Sequence, residues 1–562
     1  MRSMRRPVIA GVLAAIAFGV IQSSSAGSQP REYVVLYKSS ASAAQGRDAV
    51  QDAGGRIVSV NSKIGVATVR STDKAFVAKA TREGAIAGAA QNKPIGHSPG
   101  ATPWQPQWRV ETAGGGGRNK VPAAAPQEDP FAGAQWDMRM IGATADGSYR
   151  RQQGSHAVRV GIIDTGIDAS HPDIAPNFDA RLSVNFVTDM PNIDGPCEQR
   201  DCHDPADVDQ GGHGTHVAGT VGAALNGVGV AGVAPKVDLV NIRAGQDSGF
   251  FFLQPSVNAL TYAADHGIDV VNMSYFIDPW LYNCASNPAD TPAEQQEQRT
   301  IVAATQRALD YAHNHGVTLI SALGNEDDDL GAPEPDETSP DYPPGTEKDP
   351  PRTIDNATCL SMPTEGNHVI GVSAVGPSKR KSFYSNYGTE QTDVSAPGGD
   401  SRDTGTGLPN PANRVLSSYP EAALYEECTQ TPDLCQIDTT TGEPLPNSQV
   451  IRSRENPHVY WRYLQGTSMA SPHAVGVAAL IVAEYGHRDR REGGLKMNPD
   501  RVENILRRTA TDTPCPEPRL FDYPEPASGD QYTAFCDGPP SNNGFYGDGI
   551  VNALAAVTNA KH

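Results

Sequence analysis

The sequence predicts an α/β protein in which helices cover both faces of a mostly parallel sheet. Between residues 158 and 375, short apolar runs typical of buried strands alternate with longer segments typical of helices. Strands that are joined through helices pair in parallel and bury both faces of their sheet, which gives three layers. The chain has 562 residues, which is enough for more than one folded unit.

The first 26 residues predict an export signal. Three arginines among the first six residues precede an apolar run at 8–21, and small residues lead to Ala26. This order is typical of a secretory signal peptide, which we assign to residues 1–26, with a retained anchor as the alternative. No other stretch is long and apolar enough to cross a bilayer. We therefore expect a secreted, extracellular protein without membrane contact once the signal is removed.

Cysteine content and net charge agree with an extracellular destination. The eight cysteines, an even number, suit an oxidising compartment. The sequence does not fix their pairing, but short loops favour Cys197 with Cys202, Cys428 with Cys435, and Cys515 with Cys536, which leaves Cys284 for Cys359. The formal net charge of −20 argues against nucleic acid as a partner.

A small unit with its own pattern occupies residues 27–98. Its expected elements are a strand at 33–37, a helix at 41–53, strands at 57–60 and 64–69, a helix at 73–82 and a last strand from Ala85. This β-α-β-β-α-β order predicts a small ferredoxin-like α+β domain, with an independent binding module as the alternative role. Residues 99–130 are rich in Pro, Gly and Ala and predict a flexible linker that a protease could reach.

The large domain is expected over residues 131–562. Strands are predicted at 158–163, 237–242, 268–273, 317–322 and 369–375, with helices at 256–266 and 301–315. Asp164 and Asn325 follow predicted strands, whereas His213 opens an apolar helix. Because the crevice of a parallel sheet lies beyond the carboxyl ends of its strands, these side chains should meet at one rim.

Ser468 lies just before an apolar run at 474–482 that predicts a buried helix. In the first turn of such a helix, the Ser468 N–H has no intrahelical partner and lies at the positive end of the dipole. An oxyanion formed beside a nucleophile needs such a donor. A serine hydroxyl also needs a base and a group that orients the base. A simple helix-capping role for Ser468 is the alternative.

Four stretches of the large domain predict inserted surface loops. They are rich in Pro, Asp, Glu and Asn and carry most of the cysteines. They span residues 189–210, 278–298, 326–358 and 399–460.

Four sequence blocks resemble the signature motifs of subtilisin-like serine peptidases. In chain order they are Asp164-Thr165-Gly166, His213-Gly214-Thr215-His216, Ser321-Ala322-Leu323-Gly324-Asn325 and Gly466-Thr467-Ser468-Met469-Ala470. Their order Asp, His, Ser is that of subtilisin. The resemblance covers roughly residues 136–555 and implies a subtilisin-like three-layer sandwich. The small N-terminal unit resembles the inhibitory propeptide of the same family.

The resemblance implies a role for each residue of the predicted site. Ser468 would attack the scissile carbonyl, and His213 would take its proton and later give it to the leaving amine. Asp164 would hold the imidazole in the right tautomer. Asn325 would donate its side-chain N–H to the oxyanion, beside the backbone N–H of Ser468.

The resemblance also implies that peptide substrates bind as an added strand. Ser248, Gly249 and Ser274 correspond to the substrate-binding edges. Where relatives carry glycines after that serine, this chain has Tyr275-Phe276-Ile277, whose bulk would reshape the cleft. A broad endopeptidase and a narrow processing enzyme both stay open.

The resemblance implies no cofactor for the chemistry and allows a structural calcium ion. Asp173 matches a position where family members supply a carboxylate, and Asn226 is the candidate in the second calcium loop, which is shortened here. The sequence identifies no third ligand near Phe131.

Two other motifs are weaker indications of a binding site. The run Gly227-Val228-Gly229-Val230-Ala231-Gly232 fits a dinucleotide fingerprint but follows a predicted helix and opens none. Cys197, Cys202 and His203 could bind zinc, although export favours a disulfide.

Taken with the resemblance, the motifs predict a secreted serine endopeptidase that is made as an autoinhibited precursor. Its expected partners are peptide or protein substrates and its own propeptide. The alternatives are an inactive peptide-binding protein with the same fold and a serine esterase. The esterase reading is weakened because Ser468 lacks the Gly-x-Ser-x-Gly setting.

Overall fold

The computed structural model describes most of the two predicted domains. The described residues are 30–92, 128–332, 335–336, 339–340, 352–355, 358–404, 409–489, 494–523 and 532–558. The predicted signal peptide, residues 1–26, and nearly all of the predicted linker, residues 99–130, lie outside them.

The N-terminal domain has the predicted order of strands and helices. Its elements are β1 (Arg31–Tyr37), α1 (Ala43–Asp52), β2 (Arg56–Asn61), β3 (Val66–Ser71), α2 (Phe76–Ala80) and β4 (Ile86–Asn92). The four strands form an antiparallel sheet in the order β2-β3-β1-β4, which is the ferredoxin-like arrangement. Helix α1 begins with a capping box, in which Ser42 and Gln45 satisfy each other's backbone N–H groups.

The elements of the large domain begin with a short helix and the first strands of the central sheet. Up to the predicted oxyanion segment they are α3 (Trp136–Ile141), β5 (Arg159–Ile163), β6 (Val184–Asn185), α4 (His213–Gly222), β7 (Asp238–Arg243), α5 (Leu253–Asp265), β8 (Val270–Met273), β9 (Asn283–Cys284), α6 (Pro292–Asn314) and β10 (Thr318–Ala322). They continue with β11 (Pro335–Asp336), β12 (Arg352–Thr353), β13 (Cys359–Leu360), β14 (Val369–Val375), β15 (Val394–Pro397), β16 (Val415–Tyr419), α7 (Glu421–Gln430), β17 (Val450–Arg452), β18 (Tyr460–Leu464), α8 (Thr467–Tyr485), β19 (His487–Arg488), β20 (Leu495–Lys496), α9 (Pro499–Arg508), β21 (Leu520–Asp522), β22 (Thr533–Phe535) and α10 (Ala553–Thr558). Short 3-10 turns lie at Ser148–Arg150, Ala175–Asn177, Pro411–Asn413 and Pro432–Leu434.

Seven strands form the central sheet in the order β15-β14-β10-β8-β5-β7-β6, and all neighbouring pairs are parallel. One hydrophobic core lies between the sheet and helices α4 and α8. The other lies between the opposite face and helices α5 and α6. The predicted three-layer α/β sandwich is therefore confirmed.

Helix α8 is buried as the apolar run after Ser468 predicted. Its residues from Thr467 to Val482 are all buried. A helix that is apolar on every face gains free energy only when it is surrounded by protein. Burial of this helix places Ser468, in its first turn, beside the central sheet.

The four predicted disulfides are present. They join Cys197 with Cys202, Cys284 with Cys359, Cys428 with Cys435, and Cys515 with Cys536. Since the sulfurs of Cys197 and Cys202 are bonded to each other, the zinc alternative is wrong.

Three of the predicted surface loops contain regular structure, and in the stretch 326–358 it is limited to the short strands β11 and β12. Helix α6 starts at Pro292, inside the stretch 278–298, where Thr291 and Glu294 form a capping box. The stretch 399–460 contains helix α7 and strands β16 and β17. Polar composition led us to expect loops here, but capping and pairing with buried strands stabilise these segments instead.

Within the described residues, no helix combines the length and the apolar character that crossing a bilayer requires.

Candidate active site

The predicted site residues come together in one cleft beyond the carboxyl ends of the parallel strands. Asp164 directly follows β5, Asn325 is the third residue after β10, and His213 and Ser468 lie in the first turns of α4 and α8. The cleft is lined by His213, Asn325 and Ser468, together with Gly249 and Ser274. Asp164 lies behind His213, away from the opening.

Asp164 and His213 form a buried pair. His213 Nδ1 lies 2.8 Å from Asp164 Oδ1, and the two side chains are 2% and 0% exposed, respectively. The backbone N–H of Thr165 donates to the same carboxylate oxygen at 2.8 Å. This contact orients the imidazole, whose other nitrogen, Nε2, lies on the opposite side of the ring.

Asp209, which the sequence analysis missed, ties the Asp164 loop to the His213 helix. Its Oδ1 accepts the Thr165 hydroxyl at 3.0 Å and the Gly212 N–H at 2.8 Å. Its Oδ2 accepts the N–H and the hydroxyl of Thr215 at 2.9 and 2.6 Å. An acidic residue four positions before His213 was the available signal, because helix N-termini attract carboxylates.

Replacing Asp209 is expected to destabilise this part of the site. Asp209→Asn keeps the shape but turns one acceptor oxygen into an N–H₂ donor that faces other donors. We expect a loss of about 1.5–3 kcal/mol in the free energy of unfolding, the range for a hydrogen bond to a charged group. Denaturant unfolding in a Ser468→Ala background, which prevents self-digestion, measures it.

Asp207→Asn is the matched control, because the Asp207 side chain is exposed in the same loop. It should change the free energy of unfolding by less than about 0.5 kcal/mol. Equal effects of the two substitutions would contradict the anchoring role of Asp209.

The backbone around Ser468 is held by a chain of polar contacts. Pro472 lacks an N–H, so the Ser468 carbonyl has no partner one turn along the helix. The Ser274 hydroxyl donates to that carbonyl at 3.2 Å and accepts from Asn272 Nδ2 at 2.9 Å. The Ser471 hydroxyl contacts Asn272 Oδ1 at 2.8 Å. Hydrogen bonds thus connect strand β8 with helix α8 at Ser468.

Asn325 is oriented by the residue before Ser468. Its Oδ1 accepts the Thr467 N–H at 2.9 Å and the Thr467 hydroxyl at 3.0 Å. Since both contacts donate to the oxygen, the amide nitrogen lies on the other branch of the side chain. Gly324 has φ +112°, and a Cβ there would lie 2.4 Å from Asn386 Nδ2, so glycine is needed to bring Asn325 into place.

Of the predicted substrate edges, Gly249 and Ser274 line the cleft. Gly249 has φ +90°, a left-handed conformation that favours glycine. Ser248 is buried, and its N–H and hydroxyl donate to Asp194 Oδ1 at 3.0 and 2.7 Å. The Ser248 side chain therefore stabilises the substrate edge through Asp194 and does not line the cleft.

Aromatic rings reshape the cleft where the sequence lacks glycines. Phe251 and Tyr275 stack with ring centroids 4.2 Å apart and planes within 5°. Both are buried, and both line the cleft with Phe276. Two acidic residues, Asp278 and Glu326, also lie along it, and burial raises the pKa of Glu326.

His216 lies one turn beyond His213 and faces the protein interior. It is fully buried, and its Nε2 donates to the carbonyls of Val415 and Arg462 at 3.2 and 3.1 Å. Burial lowers its pKa to about 3, so the ring stays neutral. Its surroundings are those of a packed side chain.

The predicted calcium ligands differ in their surroundings. Asp173 is fully buried, and its Oδ2 accepts the Trp461 indole N–H at 2.7 Å and the Val230 N–H at 3.1 Å. Its Oδ1 has no hydrogen-bond partner among the described residues. Asn226 instead uses its Oδ1 to accept the Val228 N–H and its Nδ2 to donate to the Pro172 carbonyl.

Asp129 supplies a second carboxylate near Asp173. It is 1% exposed, although the sequence placed it in the linker, and its Oδ2 also has no hydrogen-bond partner among the described residues. Burial raises the pKa of Asp129 to about 6 and that of Asp173 to about 7. Two buried acceptor oxygens fit a hard cation such as calcium. The side-chain oxygen of Asn226 does not join Asp173 and Asp129, because it accepts the Val228 N–H.

Comparison with protein families finds one match across most of the chain. The model of the subtilase family, Peptidase S8, matches residues 155–533. Among curated relatives, subtilisin DY of Bacillus licheniformis is 27% identical over 401 residues, which cover 71% of this chain and 90% of subtilisin DY. Thermitase of Thermoactinomyces vulgaris is 24% identical over 378 residues, which cover 67% of this chain and 92% of thermitase.

Solved structures show the same fold. The epidermin leader peptide processing serine protease of Staphylococcus aureus matches with a TM-score of 0.60 and 21% identity, covering 95% of this chain and 99% of that protein. Fervidolysin of Fervidobacterium pennivorans, described as a keratinolytic enzyme related to subtilisin, matches with a TM-score of 0.55 and 20% identity, covering 95% and 61%.

Proposed function

Because the chain belongs to the subtilase family of serine-type endopeptidases, we propose that Ser468, His213 and Asp164 are its catalytic triad. We further propose that Asn325 completes its oxyanion hole and that the protein is exported as an autoinhibited precursor. The observation that carries the assignment is the cleft that exposes Ser468, His213 and Asn325 together, with the Asp164–His213 pair behind it.

In this mechanism Ser468 attacks the scissile carbonyl and His213 Nε2 takes its proton. The Asp164 carboxylate, 2.8 Å from Nδ1, fixes the tautomer and stabilises the imidazolium that forms. His213 then gives the proton to the leaving amine, and a water molecule repeats the cycle to release the acyl group. Peptide hydrolysis in this family needs no cofactor.

The negative oxygen that forms on the carbonyl needs two donors. The Asn325 amide supplies one, and the Ser468 backbone N–H at the start of helix α8 supplies the other. Because Thr467 fixes the Asn325 oxygen, the donor is in place before substrate arrives, and no reorganisation is required in the transition state.

Substrate would bind as an extended strand along the edge that contains Ser248 and Gly249, with Ser274 on the other side of the cleft. The hydrogen bonds from the Ser248 N–H and hydroxyl to the Asp194 carboxylate hold this edge in position. The Phe251–Tyr275 stack and Phe276 would then decide which side chains the cleft accepts.

The N-terminal domain supports the precursor proposal through its docking on helices α5 and α6. Its residues Val34, Leu36, Ile64 and Val66 belong to the second hydrophobic core of the large domain. The Arg307 guanidinium of α6 donates to the carbonyls of Tyr37 and Ile64 at 2.7 and 3.1 Å. We propose that this domain assists folding and keeps the precursor inactive until the linker is cut.

Weakening this contact should release activity earlier. Arg307→Ala leaves the two N-domain carbonyls without their donor, and we expect at least a two-fold faster appearance of activity toward a fluorogenic peptide after the precursor folds. Arg299→Ala is the matched control, because Arg299 is exposed on the same helix and its hydrogen bonds to described residues stay within its own domain, at Ala285 and Gln296. Equal rates for Arg307→Ala, Arg299→Ala and the parent chain would contradict docking through Arg307.

Export is proposed from the signal-like first 26 residues and the four disulfides. A structural calcium ion is proposed at Asp173 and Asp129, where it would stabilise the fold and take no part in the chemistry.

A serine-directed phosphonate probe tests the proposed activity. After removal of the N-terminal domain, it should label Ser468, and a mixed peptide library should be cleaved by the same preparation. If the processed protein is folded but is neither labelled nor active, the inactive peptide-binding alternative is favoured.

A further inference from the structure

A fully buried lysine joins the loop of the proposed oxyanion donor to a second loop of the large domain. Lys381 is 0% exposed and lies in the loop between β14 and β15. Its Nζ donates to Asp327 Oδ1 at 2.7 Å, and Asp327 is the second residue after Asn325. Nζ also donates to the carbonyls of Ser382 and Ser385 at 3.2 and 2.6 Å. Each of the three N–H groups of the ammonium therefore has an acceptor.

Aromatic rings surround the Lys381 ammonium. Its Nζ lies 4.9 Å from the ring centroid of Tyr387, 5.3 Å from that of Tyr523 and 5.6 Å from that of Phe545. The Tyr523 hydroxyl donates to the Lys381 carbonyl at 3.0 Å. A cation near aromatic rings is attracted by their π-electrons, and this attraction offsets part of the cost of burying the charge. The ammonium is thus held in one place, where it faces the Asp327 carboxylate.

Asp327 has a backbone conformation that depends on its surroundings. Its φ of +65° lies in the left-handed region, which residues with a Cβ rarely adopt. Such a residue persists only where its neighbours hold it. The Asp327 N–H donates to the Tyr384 carbonyl at 2.8 Å, and the Asp327 carboxylate accepts from Lys381. Both its backbone and its side chain are therefore fixed by the loop between β14 and β15.

Further hydrogen bonds join the two loops around Asn325. Asn386 Oδ1 accepts the N–H groups of Glu326 and Asp328 at 2.9 and 3.0 Å. The Asn386 N–H donates to the Gly324 carbonyl at 3.0 Å. Glu326 Oε2 accepts the Asn325 N–H and the Asn386 side-chain amide, each at 2.8 Å. The backbone of Asn325 is therefore held on both sides by residues that contact the loop between β14 and β15.

We propose that Lys381 is a positioning residue for the oxyanion hole, because its ion pair with Asp327 fixes the loop that directs the Asn325 amide. The Thr467 contacts hold the oxygen of that amide, whereas the Lys381 pair holds the backbone from which the side chain extends. Both are needed, since a shift of ~1 Å in a reacting site can cost ~10²-fold in rate. The proposal rests on the proposed function, because Lys381 is assigned an effect only through Asn325.

Lys381→Met keeps most of the apolar length of the side chain and removes the ammonium. In the N-domain-free protein we expect kcat to fall by about 10–10²-fold and KM to stay within about two-fold, as for loss of an interaction made in the transition state. Steady-state kinetics on one fluorogenic peptide, well below the thermal midpoint of each variant, measures both. Lys379→Met is the matched control, because Lys379 is exposed in the same loop, and it should keep kcat within about two-fold.

A double-mutant cycle with Asn325→Ala identifies the route of the effect. If Lys381 acts through the Asn325 amide, Lys381→Met should cost less than about three-fold in kcat once that amide is absent. Equal losses in the two backgrounds would show that Lys381 only supports the fold, and they would overturn the proposal. A kcat of Lys381→Met equal to that of Lys379→Met would overturn it as well. A parent-like kcat of Asn325→Ala alone would contradict the oxyanion assignment and, with it, the proposal.

A second variant covers the case in which the single substitution unfolds the protein. Lys381→Met leaves the buried Asp327 carboxylate without its cation, which is strongly destabilising, whereas removal of both charges of a buried pair is often neutral. Asparagine also tolerates the left-handed conformation of residue 327. Lys381→Met combined with Asp327→Asn should therefore restore the thermal midpoint and keep the low kcat, because the ion pair is still absent. A parent-like kcat in this folded double variant would overturn the proposal.

Discussion

Ser468→Ala is expected to lower kcat for peptide hydrolysis by about 10⁶-fold, the loss known for the corresponding change in subtilisin. The reason is that Ser468 lines the same cleft as His213, whose imidazole is paired with Asp164, and lies in the first turn of helix α8. Cleavage of a fluorogenic peptide by the purified, N-domain-free protein measures the loss. The same substitution should leave the full-length precursor uncut, which gel analysis after folding detects.

Ser361→Ala is the control, because Ser361 also lines the cleft but has no proposed role in the chemistry. It should keep kcat within a few-fold of the parent value. If Ser468→Ala keeps substantial activity, the nucleophile has been assigned incorrectly. If the inactive variant still loses its N-terminal domain in purified form, processing is not autocatalytic.

Asn325→Ala is expected to lower kcat by about 10²–10³-fold with little change in KM, the magnitude known for the oxyanion asparagine of subtilisin. The side chain has its oxygen fixed by Thr467 and so offers its N–H to charge that develops only in the transition state. Losing an interaction of that kind lowers kcat and kcat/KM together. Steady-state kinetics on one peptide measures both.

Asn325→Asp separates loss of the donor from loss of packing. Aspartate keeps the size of the side chain and the oxygen that contacts Thr467, but it has no N–H. It should therefore lose as much activity as the alanine variant. A kcat near the parent value in Asn325→Asp would show that the amide N–H makes no contribution to the oxyanion.

Much of the fold could be predicted because apolar patterns are local. The strand that ends before Asp164 and the helix whose first turn contains Ser468 appear where their apolar runs predicted them. The pairing of Cys284 with Cys359, which are 75 residues apart, followed only after the three short loops had been assigned. Segments whose stability depends on caps and neighbours, such as the first turns of helix α6, were mistaken for loops.

The supporting residues of the site were harder to find. Asp209 and Asp129 look like ordinary loop acids in the sequence, and their importance depends on groups brought to them by distant segments. Asp209 accepts a hydrogen bond from Thr165, which follows strand β5 and is 44 residues away in the sequence. Asp129 comes near Asp173 only when the chain folds. Asn226 was a candidate by position, but its oxygen is used by a local backbone N–H.

The sequence by itself determined the order of the elements, the candidate nucleophile, base, acid and amide, and the parallel sheet on whose edge they should meet. Apolar periodicity and short motifs contain this information because each is set by neighbours along the chain. The tertiary structure alone decided that Arg243 contacts three buried carboxylates, that aromatic rings line the cleft beside Ser274, and that the N-terminal domain docks through Arg307. These contacts join residues far apart in sequence, and burial and charge are properties that a residue acquires only from its neighbours in space.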